Sequence, residues 1–206
     1  MKKILSGLLI IGFLGGGAAS IHAAEENVNG TNSASITVNG SLGQDNGDEN
    51  APNIDEGSDD WINVTLDTAN IFYTTKDSQH KTITSPDYTI TNNSGRAVKI
   101  SAEDFTVTSG NLDNVDALKI SGADYSAAEK SVDLKSFAEG EFLTLANNQG
   151  KMNVDTDAQS THANTTTYKY SGTTKDEYYK GKAEQTAHTL TLAFEALGKD
   201  GNPVAP

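Results

Sequence analysis

From Trp61 to Leu197 the chain alternates apolar and polar residues with a period close to two, the signature of strands that bury one face. The runs are Trp61–Leu66, Ile71–Thr75, Lys81–Asn92 on either side of Pro86, Val98–Ser101, Phe105–Thr108, Leu118–Ile120, Phe142–Leu145, Thr167–Tyr170 and His188–Leu197. In the last of these, Leu190, Leu192, Phe194 and Ala196 share one face, and Thr189, Thr191, Ala193 and Glu195 share the other. Asn92-Asn93-Ser94-Gly95 has turn chemistry, because Asn and Gly tolerate positive φ, and it predicts a hairpin delivering the chain to Val98–Ser101. Only Asp124–Phe137 and Lys175–Lys182 carry helical character, and it is weak in both. The polar stretch 147–167 reads as a long excursion loop. Short strands at this spacing, with turn signals between them, predict an all-β fold, an Ig-like antiparallel β-sandwich over residues 61–198 with a tail at 199–206.

The pattern before Trp61 is different. Met1-Lys2-Lys3 followed by the apolar run Ile4–Gly17 and the small residues around Ala23 predicts a signal peptide over 1–23, too short to span a bilayer. Residues 24–60 read as a mobile acidic segment: 25–60 hold nine acids, no Lys or Arg, and much Asn, Gly and Ser. Such a composition buries too little apolar surface to offset its ordering entropy. One exception lies inside it. In Ser33–Leu42, Ile36, Val38 and Leu42 fall at strand spacing, so these three residues mark an isolated strand, or strand donor, followed by an acidic linker over 44–60. A single strand must complete a sheet, either on its own domain or on a neighbouring molecule, and the linker reach permits both.

Charge narrows the partners. With 28 acids against 15 bases the formal charge is −13, which repels nucleic-acid phosphates and anionic lipid. The absence of cysteine removes disulfide scaffolds, thiolate catalysis and zinc-finger chemistry, and an exported chain without cysteine suits a Gram-positive bacterium. Chemistry leaves few marks. His80, His162 and His188 are far apart in sequence, no nucleophile-elbow, zinc-helix or phosphate-loop motif occurs, and no catalytic residue or cofactor is assigned. Asn153-Val-Asp155-Thr-Asp157 opens like a calcium loop, but Ala158 and Asn164 stand where that loop needs glycine and a bidentate glutamate, so no metal is assigned either. The candidate ligand-contact aromatics are Trp61, Tyr168 and Tyr170, each with packing into the core as the simpler alternative.

The succession of the Ile36-Thr-Val-Asn-Gly40 strand, the acidic linker, the Trp61-Ile-Asn-Val-Thr-Leu66 opening and the phrase Ser85-Pro-Asp-Tyr-Thr-Ile-Thr-Asn-Asn-Ser94 resembles small secreted surface proteins of Gram-positive bacteria, similar to those encoded with the WxL-type families. Trp61 is followed by Ile62 and Asn63, so the Trp-x-Leu signature itself is not present. With no sorting motif, the expectation is a non-catalytic protein, secreted and extracellular or held at the cell surface without a covalent bond. Its tasks would be adhesion or the assembly of a surface complex or fibre. Its partners would be other surface proteins or wall polymer, with self-association by strand addition; neither nucleic acid nor, after signal cleavage, membrane is expected. The alternative is a module that binds carbohydrate or cell-wall polymer.

Overall fold

The computed structural model describes residues 45–175 and 183–204. The proposed strand donor, with Ile36, Val38 and Leu42, lies outside the described residues, as do the signal segment and most of Lys175–Lys182. Ten strands form two antiparallel sheets. They are β1 (Val64–Leu66), β2 (Tyr73–Thr74), β3 (Thr82–Thr84), β4 (Tyr88–Asn92), β5 (Val98–Ser109), β6 (Val115–Ala123), β7 (Glu129–Asp133), β8 (Gly140–Leu145), β9 (Thr165–Thr174) and β10 (Ala187–Ala196). The only helix among the described residues is a 3₁₀ turn at Asp59–Trp61.

The larger sheet is built around β9. One side of β9 pairs with β6, which carries β7; the other pairs first with β4 and then with β3, which lie end to end and carry β1 and β2. Ser85 and Pro86 fill the gap between β3 and β4. Proline has no N–H to offer the ladder, and the Ser85 hydroxyl accepts the Tyr170 N–H at 2.8 Å in its place. The smaller sheet has the order β10-β5-β8. Residues of both sheets form one core, among them Ile83, Ile90 and Ile120 from the first and Ile100, Leu143 and Leu145 from the second.

Phe105–Thr108 does not form a strand of its own. It continues β5, in which Glu103 has no partner residue on β10: Thr191 pairs with Asp104 and Leu192 with Ala102. This bulge shifts the alternation by one residue, so Val98, Ile100 and Ala102 face inward before it and Phe105 packs inward after it.

The predicted hairpin at Asn92–Gly95 is absent. β4 and β5 belong to different sheets, and the Asn-Asn-Ser-Gly segment carries the chain across the sandwich. Side-chain bonding explains why it crosses. The buried Asn92 amide donates to the carbonyls of Arg96 and Ala146, each at 2.8 Å, and its oxygen accepts from the Ser94 N–H and hydroxyl. That brings the start of β5 to the end of β8, its true partner. Asp124–Phe137 likewise forms no helix; it is a turn organised by Asp124, then β7, then a second turn on Asp133.

The linker reading of 44–60 also fails over the part that is described, because residues 45–60 fold onto the pole where β4 ends and β5 begins. Asn46 is buried; its carbonyl accepts the Gly95 N–H at 2.6 Å, and its side chain bonds Asp60 and Asn63. Ile54 and Trp61 form a small second core with Ala196 at the end of β10. Two of the acids pair with bases from elsewhere in the chain. Glu49 accepts both short contacts of Lys151 at 3.0 Å, and Glu56 takes a bidentate pair from Arg96, whose own side chain is 1% exposed. The Arg96 guanidinium lies 3.9 Å from the centre of the Trp61 ring and also donates to the Glu49 carbonyl. Seven of the nine acids of 25–60 lie in this segment with no base among them; the bases that pair with Glu56 and Glu49 come from positions 96 and 151.

Candidate functional site: a groove between two sheet edges

Away from that closed pole, β1 and β2 form one edge of the larger sheet and β10 forms an edge of the smaller one, with no further strand on any of the three among the described residues. Between these edges lies a cavity of about 920 Å³. One wall is the run from Leu66 to Thr74, the other the run from Glu184 to Leu192 with Phe194, and Ile83, Ile120, Tyr168 and Tyr170 lie at its floor.

Beyond Asp67, whose N–H still bonds the Thr89 carbonyl, the wall at 68–71 has no ladder of its own and is pegged by tyrosine hydroxyls. Tyr88 accepts from the Ile71 N–H at 2.6 Å and sits 3.0 Å from the Ile71 carbonyl. The Tyr168 hydroxyl lies 2.8 Å from the Asp67 carbonyl and 3.0 Å from Asn70 Oδ1, and Tyr170 donates to the same Asn70 oxygen at 3.0 Å. Burial raises the hydroxyl pKa of both Tyr168 and Tyr170, so they remain neutral donors. The ring of Tyr88 packs against both, with centroids 5.5 Å and 6.1 Å away.

On the opposite wall His188 lies between two phenylalanines, its ring centre 5.0 Å from that of Phe105 and 6.0 Å from that of Phe72, close to parallel with both. Its Nε2 meets the Thr186 hydroxyl at 2.9 Å, while its buried Nδ1 has no hydrogen-bond partner. Burial lowers its pKa below 6.5, so the ring is neutral at pH 7. Ile71 and Tyr73, 61% and 44% exposed, stand on the rim, and Val107, 46% exposed, is the register partner of His188. Three of the four large apolar side chains that are exposed among the described residues therefore gather on this side, where scattered ones would carry no message. The lining includes two acids, Asp67 and Glu184, and no Lys or Arg, which disfavours an anionic occupant.

The sequence-derived aromatics separate accordingly. Trp61 is fully buried at the closed pole, its indole N–H donating to the Asp55 carbonyl at 3.0 Å, and offers no face to a ligand. Tyr168 and Tyr170 do reach the cavity, but as buried floor and as pegs for its wall. His188, Phe72, Phe105, Ile71 and Tyr73 had no place in the sequence-derived site. The signal for His188 was present in the alternation that grouped Leu190, Leu192 and Phe194, since residue 188 has the same parity.

The calcium-like stretch resolves into a structural turn: the Asp157 carboxylate accepts the Met152 and Asn153 N–H groups, both at 2.9 Å, which lower its pKa. His162 lies 3.6 Å from the same carboxylate and edge-on to Tyr125, and His80 bonds Thr74 at 2.9 Å, so the three later histidines occupy three separate places. No known family model matches the chain, and no curated protein matches it.

Proposed function

We propose that the chain is a non-catalytic, secreted bacterial cell-surface protein acting in adhesion or in the assembly of a surface complex, and that the groove between the two sheet edges is where it takes its partner. The observation that supports this most is the apolar cavity flanked by β1, β2 and β10, each of which has one edge without a further strand among the described residues. Free edge N–H and C=O groups beside an apolar trough are what an extended polypeptide needs: main-chain bonds for affinity and pockets for alternate side chains. The Ile71 and Tyr73 side chains left in water on the rim add apolar area to be covered on binding.

Retention of the intact chain on bacterial surface-protein extracts tests this reading. Tyr73→Asp combined with Leu190→Asp places charge on both walls and is expected to abolish retention. Equal retention of the double variant and the parent would overturn the proposal.

A second reading, carbohydrate binding, draws on the mixture of aromatic rings with Asn70, Asn114 and Glu184 around the same cavity. Glycan-array binding that is lost in the Tyr73→Asp, Leu190→Asp variant would favour it over the polypeptide reading.

A further inference from the structure

We infer that the partner is an extended segment of basic character that joins β10 as a fourth strand of the smaller sheet, antiparallel to it, with apolar residues at alternate positions and a Lys or Arg toward its C-terminal end. The inference rests on the strand-accepting reading of the groove and adds to it which edge is used, which way the partner runs and what charge it carries.

The choice of edge follows from what guards each one. Sheets keep open edges from pairing by making them short, by placing charges or proline on them, or by covering them. β1 and β2 have three and two residues. β7 carries Glu129, Lys130 and Asp133 within five residues, and β8 already gives its Thr144 carbonyl to the Tyr125 N–H at 2.8 Å. β10 has none of these defences. It runs for ten residues without Lys, Arg or Pro, and Glu195, its single carboxylate, is held by Lys99 of β5. The smaller sheet also stops short at this strand. The larger one is five positions wide, β7, β6, β9, then β4 with β3, then β1 with β2, and the smaller one is three. Since β8 packs against β6 and β7, the missing width falls beyond β10, at the groove.

Direction follows from the sheets, in which every pair of strands is antiparallel. A strand added to β10 therefore enters at the Phe194 end and leaves at the Ala187 end, next to Glu184. Its alternate side chains turn toward the same floor as Leu190 and Leu192 and have to be apolar. Charge follows from the two acids of the lining, both exposed. Asp67 accepts the Thr89 N–H at 2.9 Å, and Glu184 takes the Asn114 amide at 3.0 and 3.1 Å; both donors are neutral and leave the negative charge uncancelled. With no Lys or Arg among the described lining residues, and a formal charge of −13 on the chain, the approach favours a cation and disfavours a second copy of this protein.

The experiment titrates the chain from residue 24 onward with three acetylated, amidated nine-residue peptides that alternate Thr and Val. One ends in Lys-Lys, one ends in Glu-Glu, and one begins with Lys-Lys. The peptide ending in Lys-Lys is expected to move the Leu190, Leu192 and Ile83 methyl signals and to slow exchange of β10 amides. At low salt it should bind about tenfold more tightly than the peptide ending in Glu-Glu and severalfold more tightly than the one beginning with Lys-Lys, and Glu184→Gln should remove most of both preferences.

Equal affinity for the three peptides, or preferences untouched by Glu184→Gln, would overturn the inference and leave the strand-accepting groove standing. Slowed exchange at 64–74 in place of β10 would do the same for the choice of edge. Protection of β10 amides without peptide, together with a dimer in sedimentation equilibrium, would make the occupant a second copy and overturn it too. If no peptide moves the groove signals, the strand-accepting reading falls with it.

Discussion

The two ends of β10 sit in opposite surroundings although one alternating pattern runs through the whole strand. At Ala196 the strand is covered by Ile54 and Trp61 and is 2% exposed, whereas Leu190 and Leu192, on the same face, are only partly buried. The difference lies in what covers the strand's open flank. At the closed pole a segment with little regular structure, residues 45–61, lies across the end of the sandwich; beside the groove nothing among the described residues does so. Alternation therefore states which side chains turn inward, and the covering segment decides whether turning inward means leaving water.

The largest effect that sharpens this contrast is removal of the closed pole's anchor. Trp61→Ala deletes a fully buried indole and is expected to destabilise the protein by about 3–5 kcal/mol in urea unfolding. A loss under 1 kcal/mol would mean that segment 45–61 contributes little to the fold. Next comes a matched pair of truncations. Leu143→Ala, in the fully buried core, is expected to cost about 3 kcal/mol, and Leu190→Ala, at the groove, about 1 kcal/mol or less. Equal costs would show that the groove is as well packed in solution as the core.

Gly95→Ala probes how closely the covering segment is applied. A Cβ there would lie 2.8 Å from backbone atoms of Asp48 and Glu49, so the methyl group has to lift that segment. Trp61 is the only tryptophan, so a red shift of its emission, with a stability loss of about 1–3 kcal/mol, is the expected outcome.

Smaller effects come from protonation. The Arg96 hydrogen bonds hold the Glu56 carboxyl below its ordinary 4.5. The unfolded chain thus takes up this proton near pH 4.5 and the folded one only at lower pH. The contribution of Glu56 is complete above about pH 4.5 and fades as the pH falls through the folded value. Glu56→Gln should flatten this part of the stability profile below about pH 4.5 while leaving the groove signals in place. On the groove side, NMR titration should place the His188 midpoint below 6.5, so its neutral form favours the folded state above about pH 6.5 and that contribution is lost as the pH drops. A midpoint at or above 6.5 would show that the ring is well hydrated.

The all-β class, most strands and the inward face of β10 were legible in the sequence, because half-buried strands repeat every two residues. Partner choice was not. Asn92–Gly95 has the composition of a hairpin turn, yet Gly95 lies outside the positive-φ region and serves to let Glu49 approach, while Asn92 bonds across to Ala146 in the sequence-distant strand end. Side-chain bonding at a separation of 54 residues leaves no local pattern. The folding of 45–60 was hidden for a similar reason: its acids looked unpaired because Arg96 and Lys151 lie elsewhere in the chain. The floor of the groove was partly visible through Tyr168 and Tyr170, and its His188 wall was visible only through parity.

The central place of β5 in the smaller sheet carries a consequence for the order of folding. Its two partners are β8 and β10, reached after intervening stretches that themselves belong to the other sheet, and β10, the last strand among the described residues, closes the ladder. Few contacts in this sheet are local, so a large loop-closure entropy precedes any gain from pairing. Folding should accordingly be slow for a domain of this size, and a chain cut short before residue 187 would leave β5 with a bare edge, prone to pair with whatever strand it meets first.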